Sequence, residues 1–325
     1  MSFPLPEYIQ LYPTTRCNQD CSFCFNKEGK IISDMSYPNA IKLLDMLSSA
    51  GIREIDIMGG EPFLLQWMPD FIDTALNRNF MVNISTNGSI TNMIQRFKDI
   101  DHQKFNIGVS LEGSNENNHN RLTNSSNFNK AVECIKGLVC LNLNPIVKTV
   151  VVKSSTRDIQ KIINLLIDIG VRRYYLIHMD LLSKDLSAMK ESLSYVEFLE
   201  FYKSIKTANP VIDIHHVNAS CFRKESLPSD IRCAGGVRKL SIMPDGSVLP
   251  CNLFQPFKEF ILGNIFKDDF NDIWMNPKLD LFRYHKANRC DIESCPNKSA
   301  CTGGCPAHGF YHYGNPDKPD IRCVL

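Results

Sequence analysis

Three cysteines stand close together near the start of the chain, as Cys17-Asn18-Gln19-Asp20-Cys21-Ser22-Phe23-Cys24, a C-x3-C-x2-C run. Thiolates at this spacing can turn onto one metal centre, but three leave a tetrahedral set one ligand short. Two chemistries are therefore open. Zinc would need a fourth ligand from a remote residue, whereas a [4Fe–4S] cluster would leave one iron vacant for a substrate. A second thiol set follows residue 232: Cys233, Cys251, Cys290, Cys295, Cys301, Cys305 and Cys323. Cys134, Cys140 and Cys221 complete the 13. An odd count in tight groups points to metal ligation in a reducing compartment rather than to a disulfide framework.

The rest of the composition narrows the class. At 325 residues the chain fits one large domain or one large and one small. With 36 Lys and Arg against 35 Asp and Glu, its net charge of +1 gives no attraction to nucleic acid or an anionic membrane. The first residues, MSFPLPEYIQ, lack the basic and apolar regions of a signal peptide, and no run of about 18 apolar residues follows. The expectation is a cytoplasmic protein with neither nucleic acid nor membrane as partner.

The elements that must position these thiols are legible as periodicity. Tyr8–Pro13, Glu54–Met58, Met81–Ser85, Phe105–Ser110, Pro145–Val151 and Tyr174–Ile177 have strand character. Tyr37–Ala50, Met68–Asn77, Asn127–Leu141, Arg157–Ile169 and Ser194–Thr207 have helical spacing, with Gly51 and Gly170 as stops. Such alternation predicts an α/β fold with a parallel sheet, open or curled into a partial barrel, whose ligands gather at the carboxyl ends of the strands. Ser114–Asn129, rich in Asn and Ser, is expected to be a loop. After residue 215 the chain turns to Cys, Pro and Gly, so the expected domains are 1–215 and 216–325. Within the second, Leu240–Met243 and Ser247–Leu249 flank Pro244-Asp245-Gly246 as a hairpin, and metal is expected to replace an apolar core.

With Phe23 just before its third cysteine, the C-x3-C-x2-C run resembles the signature of the radical S-adenosylmethionine (radical SAM) enzymes, and the likeness extends over nearly the whole sequence. It implies a partial (β/α)6 TIM-like barrel and a cluster on Cys17, Cys21 and Cys24 with one iron left open. Gly59-Gly60-Glu61-Pro62 resembles the family's GGEP segment, whose backbone and Glu side chain hold the methionine amine. Ser85 and Asn87 in Ser85-Thr86-Asn87-Gly88, and Ser110 and Glu112 in Ser110-Leu111-Glu112-Gly113, fall where the family contacts ribose and carboxylate. His119 and Arg121 match a His-x-Arg pair whose Arg can grip a carboxylate, His119 being the more readily explained as a solvated loop residue. Leu176–His178 is either an adenine-packing strand end or a buried one. The implied chemistry is reductive cleavage of S-adenosylmethionine to a 5′-deoxyadenosyl radical, which abstracts hydrogen from a C–H bond.

The later thiols, with Met243-Pro244-Asp245-Gly246 and the G-x4-C spacing to Cys251, resemble the SPASM extension of peptide-modifying radical enzymes. The resemblance assigns Cys290, Cys295, Cys301 and Cys323 to a distal auxiliary cluster, and Cys233, Cys251 and Cys305 to one nearer the substrate, making three [4Fe–4S] clusters in all. Four residues separate Cys290 from Cys295 where relatives usually have two. Cys134 and Cys140 are expected to be structural. Cys221 is open between cluster ligand, hydrogen-atom donor and bystander. Asn252 stands where some sulfatase-maturing relatives carry an acidic base.

What the resemblance implies is oxidation or epimerisation of a ribosomally made precursor peptide, with a flavodoxin- or ferredoxin-type reductant. Little chain precedes Cys17, so either a separate leader-recognition protein as partner or a leader-independent mode is expected. Two alternatives remain: a small cofactor precursor of tetrapyrrole or quinone type as substrate, and a zinc-binding interaction module.

Overall fold

Four of the seven barrel strands, those at 54–57, 81–86, 146–151 and 173–178, show the period-two burial of a sheet with one face on a core. The computed structural model describes residues 3–29, 32–219, 222, 231–284, 292, 295, 298–299 and 301–323. Its strands β1 (Tyr8–Leu11), β2 (Glu54–Ile57), β3 (Met81–Thr86), β4 (Phe105–Ser110), β5 (Ile146–Val151), β6 (Arg173–His178) and β7 (Asp213–Val217) each pair in parallel with the one before. Ile9, Leu11, Ile55, Ile57, Val82, Ile84, Ile107, Val109, Val147 and Leu176 are buried in the core. The residues between them, among them Asp56, Asn83, Ser85 and Lys148, point to the opposite, concave face.

Helices α1 (Tyr37–Ser49), α2 (Met68–Asn77), α3 (Glu116–Thr123), α4 (Phe128–Cys140), α5 (Ile159–Ile169), α6 (Leu186–Glu191) and α7 (Tyr195–Ala208) connect these strands. α5 shows why they form: Ile159, Ile162, Ile163 and Leu166 make one apolar stripe and are all buried. Gly170 then ends it in the left-handed conformation at φ +94°, which a side chain would resist.

Three findings change the expected layout. A seventh parallel strand, β7, closes the series, so the expected domain division at 215 falls inside an element. The expected hairpin, β8 (Lys239–Ile242) with β9 (Ser247–Leu249), does form, but β8 also pairs in parallel with β1 and joins the barrel sheet. With β10 (Gly263–Asn264) the order is β10-β9-β8-β1-β2-β3-β4-β5-β6-β7. Leu240, Ile242, Phe254, Trp274 and Phe282 are buried in the same core as the barrel strands, so residues 239–282 have an apolar core after all. Helices α8 (Phe270–Trp274), α9 (Asp280–Arg283) and α10 (Pro306–Tyr313) complete the described α-helices.

The third finding is α3, inside the stretch expected to be a loop. Asn115 caps it by accepting from the Asn118 N–H, and His119, Leu122 and Thr123 are buried on one side. Packing, not intrinsic helix preference, makes this segment a helix.

Candidate functional site

Because the strands are parallel, the segments after β1, β2, β3, β4 and β6 emerge at one mouth. The cysteine loop after β1 is fixed there by backbone hydrogen bonds. Gly60 N donates to Thr14 O (3.0 Å) and Glu61 N to Arg16 O (2.8 Å) on one side, while Asp20 N and Ser22 N donate to Thr123 O (3.2 Å) and Leu122 O (2.9 Å) of α3 on the other. The contact at Gly59 and Gly60 leaves no space for a side chain. A Cβ on Gly60 would lie 1.8 Å from Arg16 O, and one on Gly59, itself at φ +142°, 2.5 Å from Thr14 O.

Cys17, Cys21 and Cys24 are brought within electrostatic reach of one another, and burial raises all three thiols, Cys21 the most. Neutral thiols are the expected state of such a group without a cation to stabilise thiolates. Two buried carboxylates border them. Glu61 accepts from Phe63 N (3.1 Å), Thr86 Oγ1 (2.8 Å) and Asn87 N (2.7 Å), and burial lifts it to about 7. Asn87 in turn donates to Asn18 Oδ1 (2.8 Å) and lies 3.8 Å from Cys17 Sγ. Glu112 accepts from Val150 N (2.9 Å), its field reaches Cys21, and burial lifts it to about 8. Beside it, His119 Nδ1 accepts from Glu112 N (3.1 Å), Nε2 is buried without a hydrogen-bond partner among the described residues, and burial lowers the imidazole to about 4.

Across the mouth, a cavity lies between the cysteine loop and the segment after β6, lined by Phe23, Cys24, Lys27, Met179, Asp180 and Leu182 among others. His178 ends β6 stacked on Phe198 with ring centroids 4.6 Å apart, and desolvation lowers it to about 3. Below the mouth the concave face is charged. Lys148 Nζ donates to Ser85 Oγ (2.7 Å), crossing β4 at Gly108, where a Cβ would lie 2.4 Å from Lys148 Cε. Asp56, two strands from β4, feels the fields of Lys148 and Lys239.

The later thiols form two groups. Cys295, Cys301 and Cys323 line one cavity with Gly303, Gly304 and Asp320. Cys251 feels Cys233 and Cys305, and burial lifts it to about 11. Cys305, His308 and Asp320 also place three potential metal-ligand atoms within 4.8 Å of one another. Both Asp320 oxygens, however, accept from the Arg322 guanidinium, at 3.0 and 2.8 Å, so this carboxylate already has its cation.

The profile of the radical SAM superfamily matches residues 11–166, and that of an iron-sulfur cluster-binding domain, SPASM, matches residues 233–303. The chain belongs to the radical SAM superfamily. Among curated relatives of this radical SAM protein is the antilisterial bacteriocin subtilosin biosynthesis protein AlbA of Bacillus subtilis, 25% identical over 96% of this chain and 71% of that protein. Another is the Fe-coproporphyrin III synthase of Methanosarcina barkeri, 22% identical over 96% of this chain and 86% of that protein. Among solved structures, Streptococcus suis SuiB bound to precursor peptide SuiA superposes with a TM-score of 0.82 at 17% identity, over 98% of this chain and 76% of SuiB.

Membership implies S-adenosylmethionine and [4Fe–4S] clusters as cofactors, and the radical SAM mouth fits them. It offers three converging thiols, a glycine cradle without room for a Cβ, a carboxylate at Glu112 with spare acceptor capacity, and an orphaned His119 nitrogen. The structure revises several expectations about individual side chains. Glu61, expected to face a methionine amine, directs its carboxylate to three protein donors. Ser85 faces the lumen and Lys148 rather than turning with Asn87. His119, expected to be the solvated member of its pair, is buried, whereas Arg121 is exposed with its guanidinium 3.4–3.5 Å from Ser154 Oγ. Cys134 is fully buried and Cys140 exposed. Asn252 accepts from the Cys251 thiol (3.1 Å). Cys221 and Cys290 lie outside the described residues.

Asp56 and Lys148 were not singled out in the sequence, although a charge at a lumen-facing position of an apolar strand, as in EIDI and IVKTVV, is the signal that marks them.

Proposed function

We propose that this radical SAM protein modifies a ribosomally made peptide at a C–H bond, with one [4Fe–4S] cluster on Cys17, Cys21 and Cys24. Auxiliary clusters would stand on Cys233, Cys251 and Cys305 and on Cys295, Cys301 and Cys323 with Cys290. When bound, the first cluster and S-adenosylmethionine supply a 5′-deoxyadenosyl radical. The chain's own residues bind and orient. Backbone carbonyls at the Gly59–Glu61 turn would meet the methionine amine, Glu112 the ribose hydroxyls, and Phe23 the base. Glu61 holds the post-β2 and post-β3 segments together so that these groups keep their spacing.

The observation that carries the reading is the convergence of the cysteine loop, the glycine cradle and two buried carboxylates on one mouth above a polar lumen. The peptide as substrate is supported by the AlbA likeness over 96% of the chain. The coproporphyrin synthase likeness favours a tetrapyrrole as the second reading.

The deciding experiment is anaerobic reconstitution with iron and sulfide, followed by assay of 5′-deoxyadenosine and of mass or deuterium changes in short peptides encoded beside the gene. Turnover on such a peptide supports the reading. Turnover on a porphyrin precursor alone transfers the protein to the second reading, and a colourless zinc protein without 5′-deoxyadenosine sinks both.

A further inference from the structure

One buried ionic cluster has no part in the chemistry above. Arg322 lies in a single turn, Ile321–Cys323, near the end of the chain, with its side chain fully buried. It grips Asp320 with two parallel bonds, Nε to Oδ1 (3.0 Å) and Nη2 to Oδ2 (2.8 Å). Its third nitrogen crosses to the barrel, where Nη1 donates to Met179 O (3.0 Å) and Asp180 Oδ1 (3.0 Å). From α10, His308 joins Asp320 through Nδ1 (3.0 Å), and its Nε2 lies 3.5 Å from Asp180 Oδ1. One turn further on, His312 Nε2 meets Leu181 O (2.8 Å).

The C-terminal segment thus holds three consecutive residues after β6, Met179 to Leu181, through groups more than 120 positions away in sequence. Met179 and Asp180, with Leu182 next to Leu181, form one wall of the cavity faced by Phe23 and Cys24 on the other. Burying a guanidinium is costly unless its donors are paired, and here Nη1 fixes a loop whose other ion pair with the C-terminal segment, among the described residues, is Asp180 with His308. Asp320 also accepts from Cys305 N (3.1 Å), and Arg322 adjoins Cys323, so one cluster of charges spans both later thiol groups and the wall of the first site.

We propose that Arg322 is a positioning residue for S-adenosylmethionine: by clamping Met179 and Asp180, next to the Leu181 that His312 holds, it sets the width of the cavity that takes the nucleoside end, and it makes the C-terminal thiol segment and the first site one mechanical unit. The proposal rests on the assignment of that cavity to S-adenosylmethionine. It predicts that S-adenosylmethionine affinity depends on a side chain that never touches the ligand.

The test uses the anaerobically reconstituted full chain and titrates S-adenosylmethionine itself. It follows both heat and the change in the first cluster's paramagnetic spectrum, with iron and sulfide counted in every sample. Arg322→Met should keep its iron and show the same spectral change at saturation, but bind about tenfold more weakly, the scale of one lost charge-assisted hydrogen bond. Arg322→Lys, which keeps the charge without the planar fork, should recover part of the affinity. His312→Phe releases only the Leu181 carbonyl and should weaken binding about threefold, a smaller loss as for a neutral hydrogen bond; it serves as the test if Arg322→Met does not fold. Wild-type affinity in a folded, iron-replete Arg322→Met protein overturns the proposal. So does loss of C-terminal iron with unchanged affinity, which would assign Arg322 to the auxiliary centre alone. If the wild type shows no spectral change with S-adenosylmethionine, the cavity assignment itself fails, and the proposal falls with it.

Discussion

Cys17, Cys21 and Cys24 lie on a loop tied by backbone hydrogen bonds to the glycine cradle and to α3, next to a sheet with a large apolar core. Cys295, Cys301 and Cys323 have, among the described residues, no strand and no long helix of their own beneath them. Among the described residues, their neighbourhood is organised by charge: Arg322 and His308 with Asp320 and Asp180, and Arg232 with Asp317. The first region is held by the chain's own hydrogen bonds and apolar core, so a cluster there is expected to add chemistry rather than fold. The second gains little from apolar burial, so metal binding there should be coupled to folding. Cys233 and Cys251 stand between these cases, since the hairpin that follows Cys233 extends the barrel sheet.

The largest effect should come from removing the first thiols. With Cys17, Cys21 and Cys24 all changed to Ala, 5′-deoxyadenosine formation should fall to background while C-terminal iron remains; continued cleavage would break the division of labour between the regions. Gly60→Ala should act nearly as strongly without touching a thiol. A Cβ placed 1.8 Å from Arg16 O forces the cysteine loop away, so iron analysis should show loss at the first site only.

Metal removal sharpens the contrast in stability. In chelator-treated protein, circular dichroism should retain the barrel's helix and strand signal, whereas proteolysis should cut within residues 301–323 well before it cuts the barrel. Uniform resistance along the chain would refute the coupled folding of the second region.

The two buried carboxylates give a finer test. Glu61 and Glu112 titrate near 7 and 8 in the folded chain against 4.5 when unfolded, because burial disfavours their charged forms. The native state therefore binds the extra protons between pH 4.5 and 8, and stability of the metal-free protein should fall as pH rises through that window. Glu112→Gln, which can still accept from Val150 N, should end that decline near pH 7 and be the more stable protein at pH 8. Glu61→Gln should instead lose about 1–3 kcal/mol at pH 6, because an amide NH2 would face one of three protein donors. Denaturant midpoints across pH 5–9 measure both.

The smallest effects belong to the thiols outside both regions. Cys134→Ala should cost about 1 kcal/mol through a small cavity, and exposed Cys140→Ser should change nothing measurable, with activity intact in both. Loss of activity in either would add a thiol to the site.

Much of the architecture was decided locally and so could be read in advance. Strands β1 to β6 and helices α1, α2, α4, α5 and α7 lie within a few residues of the segments that periodicity marks, because alternation and the 3.6-residue stripe are properties of consecutive residues. Gly170 ends its helix where expected, since no other residue adopts φ +94° so cheaply. The thiol spacing and the GGEP run likewise belong to single loops, and a parallel sheet must deliver them to one end.

What the sequence could not disclose depends on partners far along the chain. The segment 116–123 is helical because His119, Leu122 and Thr123 find a buried place beside the cysteine loop, about 100 residues earlier, which outweighs the weak helix preference of its Asn residues. The Glu61 carboxylate turned to Thr86 and Asn87, and Lys148 reached Ser85, through sheet neighbours that only strand order brings together. β8 lies beside β1 across more than 220 residues, and Arg322 meets Asp180 across 142. A buried ionic or polar group takes whatever counterpart the packed chain places within reach, and no local pattern encodes that choice.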